Sequence, residues 1–98
     1  MMIWMGNVGG DFKQADWSLE DSVAGLRVVT RPVKFPQTMP KTPAVILGFT
    51  NLDANGEKNL RVRVEPENIT TTGFNVKFTT WSDSVIYGIR ASWIAVAA

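Results

Sequence analysis

Trp81-Ser82-Asp83-Ser84 sets one aromatic ring beside three short polar side chains. Sugar rings present C–H faces that stack on an aromatic, while their hydroxyls need donors and acceptors close by, so this stretch has the chemistry of a carbohydrate contact. Arg61 and Arg63 could add donors, although the default for a strand arginine is a solvated cross-strand partner. Tyr87 is a further aromatic just downstream, and Asp11, Asp16 and Asp21 are acidic candidates in the long segment from Gly9 to about Gly25. The chain has no histidine and no cysteine, which excludes zinc sites and His- or Cys-based triads by inventory. Catalysis would rest on carboxylates alone, and Glu65 and Glu67, flanking Pro66, read as a solvated turn rather than an acid–base pair. No enzymatic activity and no cofactor are expected; calcium through the loop aspartates is a minor alternative. Asn68-Ile69-Thr70 matches the glycosylation acceptor pattern but reads as a strand-entry turn.

The elements that must position these residues are strands. Leu60, Val62 and Val64 alternate with Arg61, Arg63 and Glu65, and Phe74, Val76 and Phe78 with Asn75, Lys77 and Thr79, the period of half-buried antiparallel strands. Counting on by twos puts Trp81 on the polar side with Lys77 and Thr79, where it is either a ligand contact or an interface residue. Ala44 to Leu52 and Ile86 to Val96 are apolar on both sides, as if a neighbouring subunit covers the second face. Trp93 falls on the second of these runs as a core residue. Tyr87 shares its side unless Gly88 marks a bulge. Val28 to Phe35 suits an edge because of Pro32, and Met2 to Val8 makes a sixth strand. Asp53-Ala54-Asn55-Gly56, Thr72-Gly73 and the prolines at 36, 40 and 43 supply turns and stiff links.

The 98 residues form one domain, 45% hydrophobic and 19% charged, which is enough apolar side chain for a single core. Such a core is only marginally stabilising at this size, and without a disulfide the remaining source of stability is association between copies. A net charge of +1 without a basic run argues against nucleic acid or an anionic membrane as a partner. The first residues lack the charged and apolar regions of a signal peptide, and no run approaches the roughly 18 apolar residues of a membrane span. The chain is therefore expected to be cytoplasmic, exported by another route, or part of a larger particle.

Residues Gly73, Phe74, Phe78, Thr80, Trp81, Asp83, Ser84, Tyr87, Ser92, Trp93 and Ile94, with Pro43-Ala44-Val45, Leu52-Asp53 and Asn59-Leu60-Arg61-Val62 upstream, resemble the pattern of the H-type lectin domain, the family of snail agglutinins and of the C-terminal domain of slime-mould discoidins. The resemblance runs from about Val33 to the C-terminus. It implies an all-β, six-stranded antiparallel β-sandwich that forms a trimer, and sites for galactose or N-acetylgalactosamine at the junctions between subunits. It further implies that Arg61 donates to sugar hydroxyls, that Trp81 and Tyr87 supply apolar surface, and that Ser82 stands where the family has a polar residue, sometimes histidine. Serine is too short to repeat an imidazole contact. The family's acidic contact falls on Ala24 in an ungapped register, or on Asp21 if a gap intervenes. The expected function is that of a lectin for glycans with terminal galactose or N-acetylgalactosamine, working as a homotrimer without membrane insertion. The alternative is a structural or interaction module that keeps the sandwich and has lost sugar binding.

Overall fold

Each alternating segment has one apolar side to bury, and two sheets laid face to face bury all of them at once. The computed structural model describes residues 1–21 and 25–98. Its strands are β1 (Met2–Asp11), β2 (Arg27–Lys34), β3 (Ala44–Ala54), β4 (Val62–Glu67), β5 (Gly73–Thr80) and β6 (Ile86–Ala97). They form two three-stranded antiparallel sheets, β1-β6-β3 and β2-β5-β4, so that β6 and β5 are the central strands. Among the described residues there is no helix.

Phe74, Val76 and Phe78 of β5 face Ile89, Ala91, Trp93 and Ala95 of β6 across the core, all of them buried. Trp93 meets Phe74 edge-on with ring centroids 5.4 Å apart, and Phe35 completes the cluster at 6.0 Å from Trp93. The indole also lies close over Gly6 on β1, where a Cβ would come within 2.9 Å of the ring. Small Ala91 and Ala95 flank the large ring of Trp93 along β6, which lets the two inner faces interdigitate. Trp93 is thus the core residue that its apolar strand predicts.

The segment between β1 and β2 behaves differently from a long open loop. β1 runs on to Asp11 rather than stopping near Val8, and the chain then turns through the bonds of the Gln14 N–H to the Asp11 carbonyl and of the Trp17 N–H to the Gln14 carbonyl. Trp17 and Leu19 are both buried there. The Trp17 indole N–H donates to the Ile86 carbonyl at 2.9 Å, and the Ile86 N–H donates to the Leu19 carbonyl at 2.9 Å. The connection therefore plugs the end of the core at which β6 begins. The expected Ala24 position lies outside the described residues.

β2 and β4 are edge strands, each paired only with β5, and each tolerates a proline, Pro32 and Pro66, at a place where the missing N–H faces no partner strand. β4 begins at Val62, two residues later than its alternation suggests. Leu60, expected inward with Val62 and Val64, is 57% exposed. Its neighbours are drawn out of the ladder by the Ser84 side chain, which accepts from the Arg61 N–H at 2.8 Å and donates to the Asn59 carbonyl. Asn68, in the turn after β4, has φ 52, and Thr70 closes that turn by donating to the Gly73 carbonyl. This is the strand-entry turn expected of Asn68-Ile69-Thr70.

Candidate functional site

Arg61 is placed by backbone bonds made before its guanidinium does anything. Its N–H is held by Ser84 and its carbonyl by the Thr80 hydroxyl, so the residue is fixed to both ends of the turn that joins β5 to β6. That turn, Trp81-Ser82-Asp83-Ser84, is tight enough to put Ser82 at φ 59. A non-glycine residue in this left-handed region costs on the order of 1 kcal/mol and persists only where its surroundings hold it. The turn aims Asp83 back at Arg61, giving a 3.2 Å ion pair in which both side chains stay more than a third exposed.

Asp83 also accepts from the Asn59 side-chain amide at 3.4 Å on both carboxylate oxygens. Partial desolvation is the largest single influence on its ionisation and pushes its pKa up. Hydrogen bonds from Asn59 and from the backbone, with the Arg61 charge, together outweigh it and hold the carboxyl below its usual range. A cation donor and an ionised acceptor therefore stand side by side at the surface. That pairing matches two adjacent hydroxyls, each of which can accept from one group and donate to the other.

Trp81 follows the last ladder pair, Val62 with Thr80, and lies in the turn beyond the end of β5. It is half-buried, and Arg63 rather than Arg61 lies over its ring, the guanidinium carbon 5.1 Å from the centroid. Arg63, a solvated partner by its strand pattern, has a second function in the folded chain, which is to pin the indole by a cation–π contact. Tyr87 sits where the pairing of β3 with β6 shifts register between Asp53 and Ala54, opposite Gly88 and Ile86. The irregularity takes Tyr87 out of the strand's alternation, as a bulge does. Its hydroxyl accepts from the Asn55 side-chain amide at 3.2 Å. Asn55 is held in turn by its N–H bond to the Val85 carbonyl at 2.9 Å.

Among the acidic candidates of the N-terminal segment, two are committed elsewhere. Asp16 binds Arg31 at 2.7 Å, and that hydrogen bond is the main reason its pKa is lowered, with desolvation opposing. Asp11 accepts from the Lys13 N–H and borders a polar hollow of about 300 Å³ with Asp53 and Arg90, on the outer side of the β1-β6-β3 sheet. Asp21 is exposed, and its carbonyl accepts from Arg27, whose guanidinium reaches Ser82 and Ser84 as well. The fold thus brings Arg61, Trp81 and Ser82 to one turn, Tyr87 to the strand leaving it, and Asp21 to the same guanidinium. Asn55, Asn59 and Arg27 join the cluster although the sequence singles none of them out as a site residue. Asn59 and Asn55 carry only a weak signal, since both flank a turn-rich stretch next to the site strand.

Fold and sequence together define an H-type β-sandwich. The sequence pattern of the H-type lectin domain matches residues 30–96, and the chain belongs to that family. It is 38% identical over 91 residues to a discoidin-1 polypeptide of Dictyostelium discoideum, a match that spans 92% of this chain and 36% of the relative. A second relative, the ATP synthase subunits region ORF 7 of Fuscovulum blasticum, is 38% identical over 74 residues, 76% of this chain and 64% of that one. The structure of wild-type discoidin II from Dictyostelium discoideum superposes with a TM-score of 0.85 at 33% identity, covering 98% of this chain and 36% of discoidin II. This chain spans about a third of the discoidins' length.

Proposed function

We propose that this protein is a lectin for glycans ending in galactose or N-acetylgalactosamine, with sites completed at the junctions of a homotrimer. The observation that carries the reading is the exposed Arg61–Asp83 pair at 3.2 Å, set beside Trp81 on a turn that the backbone holds in place. Arg61 and Asp83 address adjacent hydroxyls, Trp81 and Tyr87 supply apolar surface to the ring, and Ser82 and Asp21 add polar contacts from the rim. Membership of the H-type lectin family and the likeness to discoidins support a sugar as the ligand. The open position of the cluster supports a neighbour as its missing wall, as does the exposed apolar row Met5, Ile94 and Ile46 on the other sheet.

A single site should be weak, with a dissociation constant on the order of millimolar, or about 4 kcal/mol, because a monosaccharide offers few contacts and its hydroxyls lose water on binding. Three sites on one rigid assembly then raise apparent affinity for clustered glycans by about a hundredfold or more. A glycan array on the purified protein, followed by calorimetry with galactose and N-acetylgalactosamine, tests the reading. Arg61→Ala and Trp81→Ala should each abolish monosaccharide binding while leaving the assembly folded. Undiminished binding by the folded variants moves the site elsewhere, and a blank array on the assembled parent favours a structural module.

A further inference from the structure

Arg27, the first residue of β2, is 7% exposed, and among the described residues no carboxylate forms an ion pair with it. A buried cation without a counter-ion is costly unless its donors are satisfied. Here four carbonyls do that. Nε donates to Gly25 at 3.2 Å, Nη1 to Asp21 and to Ser84 at 2.8 Å, and Nη2 to Ser82 at 2.8 Å. The acceptors belong to two separate stretches, the end of the β1–β2 connection and the β5–β6 turn, which are joined across 55 and 57 residues of sequence. Only the planar fork of arginine can span both; a lysine is a point donor that reaches one or the other.

The second stretch is the one that aims the proposed sugar contacts. Ser82 holds its left-handed φ with its carbonyl bound to Arg27, Asp83 lies between the two bonded carbonyls, and Ser84, the other one, grips the backbone of Arg61. We propose that Arg27 is a positioning residue for the carbohydrate site: it fixes the Ser82–Ser84 turn, and so the Arg61–Asp83 pair, and it holds the backbone of Asp21 to that same turn. The inference rests on the lectin reading for its functional half. Its structural half, a turn held by a buried guanidinium, stands independently of any ligand.

The test has a part in the parent protein and a part in a variant. In the parent, NMR of the guanidinium should show Arg27 Nη protons in hindered rotation and slow exchange with water, and galactose should shift them together with the Ser82 and Ser84 amides. A freely rotating, fast-exchanging Arg27 signal overturns the staple. In Arg27→Lys, hydrogen exchange at the amides of residues 82–84 should rise by about tenfold or more and galactose affinity should fall by about tenfold, a loss of about the size of one charge-assisted hydrogen bond. Exchange at Trp93 and Ala95, at the far end of β6, should stay as in the parent. A uniform rise over the whole chain with unchanged affinity would make Arg27 merely structural. In Arg27→Ala, millimolar guanidinium ion should restore protection of the turn and sugar binding together; restoration of neither overturns the proposal. If the parent binds no galactose-type sugar, the lectin reading fails while the exchange and rotation measurements still decide whether the staple exists.

Discussion

The two sheets turn comparable inner faces to one core and opposite outer faces to their surroundings. Outside β2-β5-β4, the rows across the sheet read Val28, Thr79, Arg63, then Thr30, Lys77, Glu65 and Pro32, Asn75, Glu67, with Thr79 buried, Lys77 paired to Glu67 at 3.7 Å and Arg63 to Glu65 at 3.8 Å. Outside β1-β6-β3, the rows at one end read Ile3, Val96, Ala44 and Met5, Ile94, Ile46, and give way further along to Asn7, Ser92, Gly48 and to Arg90. Met5 and Ile46 are 69% and 65% exposed in the isolated chain. Half-exposed charges at these distances are satisfied by water, whereas adjoining rows of large apolar side chains mark a surface that another protein covers. The contrast favours the β1-β6-β3 sheet as the face for the proposed association, with the proposed Arg61–Trp81 site at the end of the other sheet, where a neighbour is to complete it.

The largest break in this contrast is expected from Ile94→Glu, at the centre of the apolar row. In a trimer joined through that face it introduces three buried carboxylates without partners, each costing about 3–5 kcal/mol, so sedimentation should show monomers where the parent assembles. The same change at Lys77, on the polar sheet, should leave assembly intact. A stable micromolar monomer of the parent itself would end the comparison.

Next come substitutions inside against outside on one strand. Phe78→Ala removes a fully buried ring from between the sheets and should cost about 3–5 kcal/mol in chemical denaturation. If it costs under about 1 kcal/mol, the core is not where the two sheets meet.

Acid should act on one sheet more than the other. Asp83 and Asp16 both have lowered pKa values in the folded chain and both hold arginines of the β2-β5-β4 side, Arg61 and Arg31. A group with a depressed folded pKa contributes stability above its ordinary value of 3.8, and the contribution is lost as pH falls through the lowered value. Sugar affinity and thermal midpoint should therefore be flat from about pH 5 to pH 8, where a chain without histidine has little to titrate, and should drop in strong acid. Assembly through the apolar face should outlast that drop. A transition near pH 6 would point to a group other than these carboxylates.

The smallest effect is expected from Lys77→Ala, which removes a surface pair and should change stability by less than about 0.5 kcal/mol, measured in the same denaturation series. A larger loss would show that the polar sheet also carries an interface.

What the sequence by itself determined was whatever has a short period or a fixed inventory. Alternation through Phe74, Val76 and Phe78 sets which side of β5 is inward, Trp93 follows from the apolar run of β6, and the absence of histidine and cysteine removes whole classes of chemistry. Pro32 marks an edge because it lacks a donor, a property of the residue alone. The outward Ile94 and Val96 of β6 were legible for the same reason, since a side chain's face depends only on its neighbours along the strand. The tertiary structure decided everything that joins distant segments. Leu60 faces water because Ser84 takes the backbone of Asn59 and Arg61, and no pattern within residues 60–65 records that. Tyr87 leaves its strand's alternation at a register shift that exists only in the pairing with β3. Arg27 reads in sequence as one more charged residue at a strand start; it becomes buried and necessary only when folding sets four carbonyls from two loops around it. Side-chain period is a local property of the backbone, but satisfying a buried charge is a property of the closed fold.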